Sequence, residues 1–210
     1  MPDTIIARQP STASINKVLD RFKQLYPVSE AFKKDFSEHA FEIEVAKNVM
    51  LLKEGDYCHH VFFIQQGVLR AFSQRGKKEI ITWIILENSF ATSISGLYGI
   101  KPARENIQAI EPAILTGISF ETLQRWYVDY PEINIVMRKI FEIYYQGAEE
   151  RAFISRMGNA MEKYKYFNDQ WPGLMNRVPL AYIASFLGIR LETLSRVRKK
   201  QLTLHKESAS

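Results

Sequence analysis

The stretch Val178-Pro179-Leu180-Ala181-Tyr182-Ile183-Ala184-Ser185-Phe186-Leu187-Gly188-Ile189-Arg190-Leu191-Glu192-Thr193-Leu194-Ser195-Arg196-Val197-Arg198-Lys199-Lys200 constrains this chain more than any other. Leu180, Ile183, Ala184 and Leu187 fall on one helical stripe, and Gly188 breaks it. Leu191, Leu194 and Val197 then start a second stripe with the same inward face. Gly188 is free to take the positive φ that reverses the chain, and Ala184 is small enough for a second helix to cross closely. Ile189, Leu194 and Val197 are expected to close the core beneath the turn. The outer face of the second helix carries Glu192, Thr193, Ser195, Arg196 and Lys199, side chains that read base edges and grip phosphates. The pattern predicts a helix-turn-helix whose second helix enters a major groove. An amphipathic surface hairpin is the plainer alternative, but it does not account for the shared register and the basic tail.

The run Ile183-Ala184-Ser185-Phe186-Leu187-Gly188-Ile189, followed by Glu192-Thr193-Leu194-Ser195-Arg196-Val197-Arg198-Lys199-Lys200, resembles the DNA-binding end of the cyclic-AMP receptor protein and fumarate-nitrate regulator (Crp/Fnr) family of bacterial transcription factors. The resemblance implies base reading by Glu192, Thr193 and Arg196, with Arg190, Ser195, Arg198, Lys199 and Lys200 in backbone or supporting contacts. It also implies a homodimer on a palindromic operator, with RNA polymerase as a further partner. No nucleophile, base and orienting group stand in a recognisable order, so no enzymatic activity is expected. One departure stands out: Arg190-Leu191 replaces the usual capping side chain, so the operator is expected to differ from the best-known family site.

Charge is placed unevenly. Residues 151–210 hold 11 Lys and Arg against 4 acidic residues, whereas residues 1–150 hold 17 against 19. A basic C-terminal third suits a phosphate backbone, with binding that weakens as salt rises. There is no apolar run of about 18 residues and no basic-then-apolar leader, so a cytoplasmic protein without a membrane partner is expected. The single cysteine, Cys58, excludes an internal disulfide framework and a four-thiolate iron-sulfur cluster within one chain.

From Phe41 to about Phe120 the chain turns to short apolar runs rich in Val, Ile, Phe and Trp. Strands are predicted at 41–45, 49–52, 61–64, 68–73, 79–86, 107–110 and 113–119, a pattern that argues for a closed roll or barrel. Lys53-Glu54-Gly55-Asp56 and Val61-Phe62-Phe63-Ile64-Gln65-Gln66-Gly67-Val68-Leu69-Arg70 are similar to the front half of the cyclic-nucleotide-binding β-roll. Relatives that bind cyclic nucleotides carry a Phe-Gly-Glu-Leu run and a later Arg-Ser-Ala run. Here these positions read Phe90-Ala91-Thr92-Ser93 and Ala103-Arg104-Glu105. The ribose carboxylate is thus replaced, the phosphate Arg is out of register at Arg104, and Glu105 repels an anion. A buried phosphodiester without a cation is costly, so ordinary cyclic AMP binding is not expected.

No cofactor is expected, and two readings of the roll stay open. Phe90, Thr92, Ser93, Arg104 and Asn106 are candidates to line a pocket for a different small-molecule effector, with Ser95 nearby; alternatively the roll is a ligand-free scaffold. Cys58-His59-His60 invites a metal, but neighbouring residues on a strand point to opposite faces, so a loop is favoured and no metal site is expected.

Residues 1–14 are expected to be frayed, with helical pieces on either side of Pro27 and another helix from Phe120 to Tyr130. In the longer helix from Glu132 to Met157, Ile133, Met137, Ile140, Tyr144, Gly147, Arg151 and Ile154 recur at the spacing of a paired-helix seam, with intramolecular packing as the alternative. Asn159–Trp171 forms a further helix, followed by a connector or small hairpin over 174–179, and any wing after the second recognition element is short.

The resulting expectation is an α+β chain. Residues 1–130 form a cyclic-nucleotide-binding-type β-roll with flanking helices, 131–157 a dimerisation helix, and 158–210 a winged helix-turn-helix. The function expected is sequence-specific transcription regulation on double-stranded DNA. The alternatives are a cyclic-nucleotide or other small-molecule binding module that regulates a partner protein, and a β-barrel metalloenzyme.

Overall fold

In the computed structural model, residues 6–97 and 101–208 are described. The chain divides into two compact units: one holds residues up to Gln74 together with Thr82–Ile143, the other Arg75–Ile81 together with the chain from Tyr144 on.

The first unit is built on two antiparallel sheets. Strands β1 (Ala7–Arg8), β2 (Phe41–Val45), β4 (His60–Gln66), β7 (Phe90–Ala91) and β9 (Ala113–Ser119) form the first, in the order β1-β2-β9-β4-β7. Strands β3 (Met50–Leu52), β5 (Leu69–Arg75), β6 (Lys78–Ile85) and β8 (Asn106–Ala109) form the second, in the order β3-β8-β5-β6. The facing sheets enclose a core that includes Ile43, Ile64, Leu69, Ala109 and Leu115. Burying such aliphatic side chains stabilises the fold by about 1.5–3 kcal/mol each. At the β4–β5 corner Gly67 has φ +101°, and a Cβ there would lie 2.6 Å from Ala113 Cβ and 2.7 Å from Pro112 O. Only glycine lets this corner pass the β8–β9 corner so closely.

Against the first sheet pack α1 (Thr12–Leu25), α2 (Glu30–His39), α4 (Phe120–Asp129) and the first part of α5 (Pro131–Arg156). Serine caps begin three of these helices: Ser11, Ser29 and Ser119 each accept a bond from the backbone N–H three residues on. Aromatic rings join them. Phe32 meets Trp126 edge-on at 5.1 Å, and Phe22 lies 5.9 Å from Phe36. Trp126 Nε1 donates to Asp35, which also receives Arg125.

Several local expectations change. The N-terminal segment holds a short strand where fraying was expected, because Arg8 pairs with the buried carboxylate of Glu42 and with Glu44. The strand at Phe90–Ala91 and the helical turn α3 (Ile94–Leu97) were not foreseen, since each is too short to show a period.

In the second unit the latter part of α5 is followed by α6 (Ala160–Gln170), a 3-10 turn at Leu174–Asn176, α7 (Leu180–Leu187) and α8 (Leu191–Ser208). The segment Arg75–Ile81 meets α7 here: Ser185 Oγ donates to Glu79 O at 3.0 Å and accepts from Ile81 N at 3.1 Å. The connector at 174–179 holds a 3-10 turn rather than the alternative of a small hairpin. The expected wing is also missing among the described residues, because α8 continues through Arg198-Lys199-Lys200-Gln201-Leu202 with no Gly or Pro to stop it.

The seam of α5 is used unevenly. Ile133, Met137, Ile140 and Ile154 are buried within the chain itself, whereas Ile143, Tyr145 and Phe153 are exposed. Tyr144, Gly147 and Arg151 are half-buried.

Candidate nucleic-acid interface and roll cavity

The α7–α8 pair has the local chemistry its sequence requires. Gly188 ends α7 at φ +64°, its N–H bonds back to Ser185 O, and Ile189 N–H reaches Ala184 O at 3.0 Å. That is the left-handed helix stop that favours glycine. Ile183, Ala184, Leu187 and Leu194 are buried and hold the two helices together, while Ile189 and Val197 are half-buried at the edge. Phe186 packs on Phe167 at 5.8 Å and on Trp171 at 5.9 Å, which ties α7 to α6.

One expectation fails at this turn. Leu191, assigned to the inward stripe, is 42% exposed. It is the first residue of α8, before the helix has turned its apolar face to the core. Arg190 sits at the cap position, its carbonyl accepting from Leu194 N at 3.0 Å; its guanidinium can only donate, so it offers the free N–H groups of the first turn no acceptor.

The outward face of α8 is polar and unengaged. Glu192, Ser195, Arg196, Lys199 and Lys200 are exposed at spacings of three and four, and their side chains make no hydrogen bond or ion pair among the described residues. Arg190 is likewise exposed and unpaired. Thr193 is half-buried, and Arg198 is held from the side by Asn176 Oδ1 at 3.1 Å. The structure therefore gathers Glu192, Ser195, Arg196, Lys199 and Lys200 on one surface and turns Thr193 and Arg198 toward its flank.

The residues proposed for a ligand pocket in the roll are placed differently. Phe90 turns into the aromatic core, with its ring stacked on Phe22 at 5.8 Å and edge-on to Phe63 at 5.1 Å. Asn106 Oδ1 accepts from Glu54 N at 3.0 Å, and its Nδ2 donates to Phe72 O at 3.3 Å. Ser93 is fully buried, with Oγ 3.3 Å from Ser95 Oγ, and Ser95 Oγ accepts from Arg104 N at 3.3 Å. Arg104 extends its side chain outward and is exposed. Thr92 Oγ1 donates to His60 O at 3.1 Å and contacts Cys58 Sγ.

The first unit nevertheless contains a cavity of about 450 Å³. Leu52, Phe62, Ala91 and Ile107 give it apolar walls, and Lys53, Asp56, His59 and His60 stand around it. Of the residues selected from the sequence only Thr92 lines it. Cys58 and His60 were singled out for another reason, as possible metal ligands. Among the described residues the one group of three ligand atoms within 4.8 Å of one another is Asp35, Glu38 and His39, not Cys58-His59-His60. His60 lies between Phe41 and Phe62, at ring distances of 5.4 and 5.8 Å. Burial holds its imidazole down to about 4 from an ordinary 6.5, so it is neutral at physiological pH and offers a hydrogen bond rather than a charge.

The comparisons with known proteins bear on both units. Residues 42–130 match the cyclic nucleotide-binding domain. FixK2 from Bradyrhizobium japonicum is 17% identical, with a TM-score of 0.71 over 79% of this chain and 86% of its own. The c-di-GMP responsive global regulator CLP from Xanthomonas campestris is 14% identical, with a TM-score of 0.67 over 83% and 92%. A chain from Eubacterium rectale assigned to the Crp/Fnr transcriptional regulators is 16% identical, with a TM-score of 0.69 over 88% of each. No curated protein matches the sequence. Among the described residues no helix is long and apolar enough to cross a membrane. Residues 42–130 thus match the cyclic nucleotide-binding domain, and the chain has the fold seen in solved structures of Crp/Fnr regulators.

Proposed function

We propose that the protein is a sequence-specific DNA-binding transcription regulator, with α8 as its recognition helix. The observation that carries this reading is the exposed face of Glu192, Ser195, Arg196, Lys199 and Lys200, unpaired among the described residues and raised on a helix that Gly188 turns away from α7. Arg196 and Glu192 contact base edges, with Thr193 at the rim of the same surface. Arg190, Ser195, Arg198, Lys199 and Lys200 hold the phosphate backbone. Residues 158–210 act as the DNA-binding domain, and residues 131–157 as a dimer helix that uses its exposed apolar side chains, Ile143 and Phe153 among them. A twofold dimer then reads a palindrome with half-sites about 34 Å apart.

The roll does not bind cyclic AMP in this reading. Its segment 92–106 has no carboxylate for the ribose at Thr92, its serines bond one another, and Arg104 points outward. A second reading, a small-molecule effector held by the roll, is favoured by the cavity bounded by Leu52, Phe62, Thr92 and Ile107. Selection of bound sequences from randomised DNA, with and without a cell extract, tests both. A palindromic consensus supports the regulator, and a consensus that appears only with the extract supports an effector. Recovery of no preferred sequence under either condition overturns the DNA reading.

A further inference from the structure

Within the second unit one buried charge is unused by the function proposed above. Lys163 on α6 is 4% exposed, yet no carboxylate pairs with it among the described residues. Its ammonium donates to two backbone carbonyls instead: Leu187 O at 2.9 Å and Ser155 O at 3.1 Å. Leu187 is the last residue of α7, and Ser155 lies in the last turn of α5. Both oxygens belong to the final four of their helices, which have no partner further along the helix. Both also sit at the negative end of a helix dipole, where a cation is favoured. Gly188 lies directly beside this ammonium, since a Cβ on it would be 3.9 Å from Lys163 Nζ.

We propose that Lys163 is a positioning residue for DNA recognition. Its ammonium fixes the end of α7 against the end of α5, and so sets the angle at which Gly188 and Arg190 launch α8. The inference rests on the DNA-binding reading. Its physical basis is separate: a salt bridge would need one partner, whereas this cation satisfies carbonyls from two helices at once. Removing the ammonium alone leaves two helix-end carbonyls without this donor, so Lys163→Met is expected to lose some stability while still folding.

The test compares full-length wild type, Lys163→Met and Lys163→Arg. Each is assayed for binding to the sequence selected by the wild type and to an unrelated duplex, and for amide hydrogen exchange at Gly188 and Ile189. Lys163→Met is expected to fold, to lose about tenfold or more of its preference for the selected sequence, and to keep its salt-dependent affinity for the unrelated duplex. Exchange at Gly188 and Ile189 accelerates in it, while the buried Phe167 amide stays protected, and Lys163→Arg restores most of both properties. A folded Lys163→Met with wild-type preference and wild-type exchange overturns the proposal. If that variant does not fold, Lys163→Gln, which keeps an N–H donor without the charge, takes its place; failure of both to fold assigns the residue to stability alone and also overturns the proposal. Should the wild type select no DNA, the regulator reading fails by itself, and unchanged exchange at Gly188 would refute the clamp independently.

Discussion

Two polar stretches of this chain look alike in sequence and differ in their hydrogen bonds. Residues 92–106 and the outer face of α8 each offer hydroxyls, an arginine and an acidic residue. In the first, Thr92, Ser93, Ser95 and Asn106 are spent on one another and on nearby backbone. In the second, Glu192, Ser195, Arg196, Lys199 and Lys200 have no partner among the described residues. A polar side chain whose bonds are made inside the fold contributes to its structure; one held out in solvent with its bonds unmade is free to recognise something else.

The largest expected effect is on the free side of this contrast. Arg196→Ala should weaken binding to the selected sequence by about 1–3 kcal/mol and relax sequence choice while leaving the melting temperature unchanged. Gel shifts and a repeat selection from randomised DNA read the two parts, and unchanged binding would remove α8 from the recognition role. Asn106→Leu is the converse experiment. It orphans Glu54 N and Phe72 O, so it should destabilise the roll by about 1–3 kcal/mol without altering the DNA consensus. Thermal and denaturant unfolding measure it, and a stability loss near zero would mean that Asn106 is less tied down than its bonds indicate.

Smaller effects sharpen the contrast. Lys199→Ala and Lys200→Ala should each lower the slope of log affinity against log salt by about 1, with the consensus retained. Titration of binding across several salt concentrations tests this, and a change of consensus would move these lysines from phosphate to base contacts. The smallest effect concerns His60. Its pKa is depressed by burial, so the neutral form is favoured in the folded state; the stability it supports is complete above about 6.5 and is lost as pH falls toward 4. His60→Phe should flatten that part of the stability profile, and a profile identical to wild type would show that His60 is more hydrated than its place between Phe41 and Phe62 indicates.

The long-period features were legible in the sequence. Apolar stripes on α7 and α8 with Gly188 between them, and the alternation of strands from Phe41 to Ser119, come from spacing that local sterics enforce. The strand at Phe90–Ala91 was not legible, because two residues carry no period and their partner in β4 is remote in the chain. Nor was Lys163, whose partners Ser155 and Leu187 lie eight and 24 residues away and are backbone atoms common to every residue type. Leu191 misled by keeping the stripe's spacing at a helix start, where the face is not yet turned inward.

By itself the sequence determined the elements, the turn at Gly188 and the basic character of the C-terminal third, since these depend on residue type and near-neighbour spacing. Tertiary structure alone decided which polar side chains are spoken for. Asn106 closes on Glu54 N and Phe72 O, the cavity opens beside Leu52 and His60, and Lys163 finds two helix ends, because hydrogen-bond satisfaction depends on what folding brings within about 3 Å.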